Sequence, residues 1–298
     1  MTSVYTLSLV TASAVFLVAC SSPPQNALQS VSIPFAAEIN GQPFACGQTY
    51  GPVGTTGSSI TPMDFRWYVS GVKLIDAQGR AVPVTLEQDG VWQLGDLALL
   101  DFENGQGPCR NGTAAVNTTV RGTVPAGTYR GIEFTLGVPF DRNHGDPTTA
   151  PSPLNNTAMF WNWQGGYKFI KFDTTSTGLS DRTPGAPSPQ GPVTRYAMHL
   201  GSTGCQAASR TAAPSAPCAN PNTVAVRFDR FQPGQHTLVA DMGRVLARAN
   251  VDVNAPHTSP GCMSFARDGD CPPVMAALGL AYDGVPAPAQ GQQLFSVR

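Results

Sequence analysis

Six cysteines behind an export signal constrain this chain more than any other feature. Residues 5–19 are almost wholly apolar or small and run into Leu17-Val18-Ala19-Cys20. That length matches a signal-peptide core and falls short of the roughly 20 apolar residues needed to span a bilayer. No Lys or Arg precedes the apolar run, a departure from the usual pattern. The four residues ending at Cys20 read as a lipobox, so Cys20 is expected to be acylated and to become the mature N-terminus. Ser21 and Ser22 beside it fit retention at the outer membrane. The expected location is therefore the periplasm or cell surface, with a lipid anchor in the outer membrane. Cys46, Cys109, Cys205, Cys218, Cys262 and Cys271 remain. An even set in an oxidising compartment reads as three disulfides. Sequence leaves the connectivity open, although proximity favours Cys205–Cys218 and Cys262–Cys271 as short clips, with Cys46–Cys109 left over. A thiolate zinc site is the rival reading, but no C-x-x-C spacing occurs.

The remainder reads as one disulfide-braced domain. Residues 1–20 form the signal peptide, 21–32 a polar tether, and 33–298 a single β domain. Strand-like segments are short and glycine and proline abundant (31 and 27), as in a loop-rich all-β fold. Ile132, Phe134, Leu136 and Val138 alternate with Glu133, Thr135 and Gly137, the period of a half-buried strand. Val224, Val226 and Phe228 repeat the pattern. Further strands are expected at 33–39, 65–75, 81–86, 116–123, 167–173 and 196–200. Turn signals punctuate them at Asn40-Gly41, Asp89-Gly90, Asn104-Gly105 and Pro125-Ala126-Gly127. Two helices are expected: 238–250, with Leu238, Met242, Val245 and Leu246 on one face, and 273–280. The Pro/Gly/Ser-rich run at 183–192 reads as an exposed loop. Together these predict an antiparallel β-sandwich or barrel with one or two short helices.

The chain offers little for catalysis. It lacks a G-x-S-x-G elbow, a P-loop, an H-E-x-x-H pair and a C-x-x-C-H haem site. No Ser or Cys sits in an evident grouping with His and an acid, so no catalytic residue is expected. Net charge is −1, and only 12% of residues are charged, which makes nucleic acid an unsuitable partner. The unusual stretch is 137–173, which holds His144, one of four histidines, and two of the four tryptophans, Trp161 and Trp163. On a strand the two indoles would share a face, either as core aromatics or as a platform for sugar rings. His199 follows on a strand whose Tyr196, Met198 and Leu200 take the other face. Asp141, Asn143 and Asp146 form a weak calcium-like cluster without the EF-hand spacing.

Several blocks together resemble a known family. They are Met63-Asp64-Phe65-Arg66-Trp67-Tyr68-Val69, Leu100-Asp101-Phe102, Gly137-Val138-Pro139-Phe140 through Asn143-His144, and Met159-Phe160-Trp161-Asn162-Trp163-Gln164 with Gly166-Tyr167-Lys168-Phe169. His199-Leu200-Gly201-Ser202-Thr203-Gly204-Cys205 and Gly261-Cys262-Met263-Ser264 complete the set. From about residue 33 onward the chain resembles the MbnP-type family, the four-cysteine proteins of the metallo-mystery pair systems. The four cysteines would be Cys205, Cys218, Cys262 and Cys271. The resemblance implies an exported copper-binding protein encoded beside a MauG/MbnH-like dihaem cytochrome c peroxidase. That partner would oxidise one tryptophan to kynurenine, in a role in copper homeostasis. Related surface proteins hold copper through histidines and a kynurenine, whose aniline nitrogen and ketone offer donors that indole lacks. Carried onto this chain, the expected ligands are His144 and His199, and the oxidised residue is Trp161 or Trp163. Trp67 lies in an ordinary alternating strand. The contrasting expectation is a structural or carbohydrate-binding surface lipoprotein with no metal.

Overall fold

The computed structural model of the protein describes residues 1–2, 27–179 and 194–298. The lipobox, the first half of the tether (21–26) and the loop at 183–192 lie outside the described residues. In chain order the strands are β1 (Leu28–Ile39), β2 (Gln42–Pro43), β3 (Tyr50–Val53), β4 (Ser58–Asp76), β5 (Ala81–Pro83), β6 (Thr85–Leu86), β7 (Gln93–Leu94), β8 (Leu97–Asp101) and β9 (Thr119–Pro125). They continue as β10 (Tyr129–Leu136), β11 (Phe160–Asn162), β12 (Gly166–Tyr167), β13 (Ile170–Ser176), β14 (Tyr196–Leu200), β15 (Val224–Phe228), β16 (Leu238–Asp241) and β17 (Phe295–Val297). The helices are α1 (Phe140–Asn143), α2 (Met242–Leu246) and α3 (Cys271–Ala277).

One sheet runs β17-β16-β1-β9-β6, with β2 paired to β1. The other runs β14-β13-β4-β10-β15 and carries β3, β5 and the β7–β8 hairpin on β4. The two sheets meet as a sandwich, which decides against a barrel. The strand pairs are antiparallel except for β1 with β16, which is parallel. Nineteen residues make β4 long enough to take two neighbours in succession along one edge. Its first half pairs with β13 and its second with β10, while β8 pairs with residues 66–70 on the opposite edge.

An aromatic cluster joins the sheets. Phe35 of β1 meets Trp67 of β4, Phe134 of β10 and Phe295 of β17 edge-on, at centroid distances of 6.3, 5.8 and 6.3 Å. Trp67 also stacks on Phe102 at 4.9 Å and is fully buried, as its place in the alternation predicts. Edge-to-face pairing favours such rings beyond the apolar area they bury. The three disulfides are Cys46–Cys109, Cys205–Cys218 and Cys262–Cys271, so among the described residues no cysteine is left as a thiolate for zinc.

Several expected boundaries move, each where strand pairing overrides local pattern. Strand β1 begins at Leu28 and takes residues 28–32 out of the tether, because they pair with β9. The run at 81–86 divides between the two sheets as β5 and β6, and 167–173 divides between β12 and β13. The strand expected at 116–123 begins at Thr119. The helix expected over 238–250 is instead strand β16 followed by α2. Leu238 to Asp241 fill the gap between β1 and β17, and Asp241 then caps the helix by accepting from Gly243 N. The same carboxylate accepts from Asn40 N and Gly41 N, fastening the Asn-Gly turn, whose φ values of 52° and 75° these residues tolerate. The second expected helix begins two residues earlier than read, at Cys271, with proline in its first turn.

Candidate functional site

Across the second sheet runs a row of polar residues that the alternation hides. Asp101 of β8 is in register with Arg66 of β4, Arg66 with Lys171 of β13, and Lys171 with His199 of β14. Beside them Asp64 pairs in register with Asp173. All six are buried. Their strand neighbours Phe65, Trp67, Phe172 and Met198 project into the aromatic core on the other face. Charges this deep persist only when paired. Arg66 Nε donates to Asp64 Oδ1 at 2.8 Å and its second nitrogen to Oδ2, Lys171 bonds Asp64 as well, and Lys171 lies 3.1 Å from Asp173. Glu103 stands 3.9 Å from Arg66. Burial pushes the Asp101 carboxyl up to about 7, against the pull of Arg66.

The row ends on His199. Its Nε2 lies 2.9 Å from Asp173 Oδ1. Burial would raise the Asp173 carboxyl, but the His199 hydrogen bond, Lys171 and Arg195 hold it well below the usual carboxylate range. A carboxylate only accepts, so Nε2 carries the proton. Burial lowers the His199 pKa against the influence of Asp173, which keeps the ring neutral and leaves a lone pair on Nδ1. That Nδ1 is buried and has no hydrogen-bond partner among the described residues. A ring nitrogen anchored by a carboxylate, with its other nitrogen free, is the arrangement of a metal-ligating histidine and its supporting acid.

The second histidine is held differently. Helix α1 is a single turn, and His144 caps it at the C-terminal end. The ring is 6% exposed, and burial lowers its pKa. Nδ1 donates to the Trp163 carbonyl at 3.0 Å, since a carbonyl only accepts. Nε2 accepts from Asn143 Nδ2 at 3.2 Å and lies 3.7 Å from Cys218 Sγ. Among the described residues, the cluster of three His, Cys, Asp or Glu ligand atoms is His144 with Cys205 and Cys218, and it does not include His199.

The two tryptophans separate as well. Trp161 lies in β11, but Trp163 sits in the turn to β12, where Gly165 N donates to Asn162 Oδ1 at 2.8 Å. The hairpin reverses one residue too early for a shared face, so no two-indole platform forms. The Trp161 ring packs on Gly201 and against Phe265, at a centroid distance of 5.6 Å. Gly201 stands two residues beyond His199, which brings this indole beside the His199 strand. Both tryptophans are half-buried. The calcium-like cluster also dissolves. Asn143 spends its side chain on Tyr167 N, Ser202 Oγ and His144, Asp146 Oδ1 accepts from Thr148, and Asp141 is exposed.

Sequence reasoning passed over Asp64, Arg66, Lys171 and Asp173. A usable signal was present in Asp64-Phe65-Arg66-Trp67 and Lys171-Phe172-Asp173, where charges alternate with aromatics inside strand-like runs. Gly201 carries its own prediction. A Cβ there would lie 2.5 Å from Trp161 Cζ3 and 2.9 Å from the Tyr167 carbonyl oxygen. Gly201→Val should therefore expel the indole, red-shift tryptophan emission and lower stability by about 1–3 kcal/mol. The same substitution in a Trp161→Phe background should leave the emission unchanged.

Comparison with known proteins identifies the family and the fold. The model of the MbnP family matches residues 28–264. The structure of MbnP from Methylosinus trichosporium superposes with a TM-score of 0.78 at 31% identity, covering 91% of this chain and 98% of that one. No curated protein matches the chain.

Proposed function

This chain belongs to the MbnP family, and on that premise we propose that it is an exported, lipid-anchored copper-binding protein matured by oxidation of Trp161 to kynurenine. The observation that carries the reading is His199 Nδ1, a buried lone pair without a partner among the described residues, whose ring is fixed from behind by Asp173. His199 would hold the metal, and neutral imidazole suits copper. Copper would supply a soft acceptor for that nitrogen and for the aniline nitrogen or ketone of the kynurenine. His144 stays out of this set, because its Nε2 faces the Cys205–Cys218 disulfide and shares no ligand cluster with His199.

Trp161 is the better oxidation target on the same ground. It stands beside the His199 strand and is half-buried, whereas Trp67 is sealed in the core. The oxidant is hydrogen peroxide, used by a MauG/MbnH-type dihaem cytochrome c peroxidase as partner. Two peroxides cleave the indole C2–C3 bond, each leaving one oxygen atom on the resulting N-formylkynurenine and the other as water. Hydrolysis of the formamide then releases formate and the aniline. The lipid anchor at Cys20 would hold the domain at the outer membrane, in a role in copper homeostasis.

Peptide mass spectrometry after co-expression with the neighbouring haem peroxidase tests the proposal. A gain of about 4 Da on the peptide holding Trp161, localised by fragmentation, is the expected result. The same gain on Trp163 would move the modified position into the turn. Unmodified tryptophans beside a competent partner would sink the mechanism.

A further inference from the structure

We infer that His144, Cys205 and Cys218 form a latent binding site for a soft, thiophilic cation, opened when the disulfide between the two cysteines is reduced. One ring nitrogen and the two sulfurs already lie within 4.8 Å of one another, and all three residues are buried. The nitrogen is the right one. The Trp163 carbonyl holds the proton on Nδ1, so the Nε2 lone pair faces Cys218 Sγ at 3.7 Å and accepts from the neutral Asn143 amide at 3.2 Å, a contact that a metal would displace. In the oxidised protein that lone pair meets a disulfide sulfur, which is a poor donor to metals. Reduction would put two thiolates in front of it, and two thiolates with one neutral imidazole suit Cu(I) or Zn(II).

The bond is placed so that it can open without dismantling the fold. It clips a loop with a sequence separation of 13, most of whose intervening residues are exposed. Backbone bonds between Thr203 and Asn220 hold the base of that loop independently of the sulfurs. Opening it consumes two electrons and two protons. A dithiol donor becomes a disulfide as the Cys205–Cys218 bond breaks and both sulfurs are protonated. Metal binding then releases the two thiol protons to water. The site is also wired to the tryptophan hairpin. Gln164 Nε2 donates to the Cys205 carbonyl at 3.1 Å, Gln164 N donates to the Arg210 carbonyl, and Trp163 holds His144. Redox state at the clip is thus passed to the turn that follows Trp161. The inference does not rest on the copper reading above, which uses His199.

Cobalt titration of the full chain tests it, after brief reduction with a water-soluble phosphine that is then removed. Thiol alkylation and peptide mapping identify which disulfide has opened, and near-UV circular dichroism reports the fold. The protein opened at Cys205–Cys218 should stay folded and bind one Co(II) with thiolate-to-cobalt charge-transfer absorption, displaced by Zn(II). The oxidised protein should show none, and neither should Cys205→Ala/Cys218→Ala treated identically. His144→Ala should keep both thiols yet bind at least about tenfold more weakly, whereas His257→Ala, at an exposed ring outside both sites, should titrate like the parent. Charge-transfer bands that survive in the double-cysteine variant would overturn the inference. So would their absence from the opened parent, loss of its near-UV signal, or an unchanged affinity in His144→Ala. Cys218→Ser, purified without reductant, provides a second route. Its free Cys205 thiol should give a weaker single-thiolate cobalt band, and no band there would count against the site as well.

Discussion

Arg66→Ala should destabilise the domain by about 3–5 kcal/mol, the cost of removing one partner from a buried ion cluster. The guanidinium serves Asp64 through two hydrogen bonds, stands 3.9 Å from Glu103 and lies in register with Asp101. Without it Glu103 and Asp101 lose a neighbouring cation and Asp64 is left with Lys171, in a place water does not reach. Urea unfolding checks the magnitude, and its pH dependence checks the cause. An acid whose pKa is raised on folding contributes stability that is fully present below its unfolded value and is lost as pH rises through its folded value. For Asp101 that window runs from 3.8 to about 7. Removing Arg66 raises the folded value further, so the variant should lie nearer the parent at about pH 5 than at about pH 8. A pH-independent deficit would mean that lost packing, and not lost charge, is the cost.

Copper binding should fall most at His199. In the disulfide-intact protein carrying the oxidised tryptophan, His199→Ala should abolish binding measured by calorimetry, because no other described histidine offers a buried ring nitrogen without a partner. Asp173→Asn should weaken it by about 10–100-fold while the fold persists, since an amide no longer enforces the proton on Nε2. His144→Ala in the same oxidised protein should bind almost as the parent does. Copper affinity that drops equally in the two histidine variants would place both rings on the metal. An unaffected His199→Ala would remove this site from consideration.

Much of the chemistry was legible residue by residue. The even cysteine set announced three disulfides, and short spacing pointed to the two clips that form. Period-two runs located β10, β14 and β15 within a few residues, because a half-buried strand writes its register into the order of its side chains. The blocks around Trp67, Trp161 and His199 carried the family. Where pairing partners lie far apart, local pattern failed. Leu238 to Asp241 looked helical because Leu238, Met242, Val245 and Leu246 fall at helical spacing, yet the sheet between β1 and β17 claimed the first four residues.

The candidate site divides along the same line. Sequence alone determined that the chain carries an even cysteine set, an apolar run of signal-peptide length ending at Cys20, and His144, His199, Trp161 and Trp163 as its unusual residues, since each is a matter of residue type and spacing. Tertiary structure alone decided which of them share surroundings. Asp64, Arg66, Asp101, Lys171, Asp173 and His199 come from four strands separated by up to 135 positions, and only sheet register brings them into line. Tertiary placement likewise sends the two histidines apart, His199 on a strand to a carboxylate and His144 at a helix end to a disulfide. The physical reason is that a side chain's direction is local, set by the strand it occupies, whereas its partner is chosen by how distant strands align.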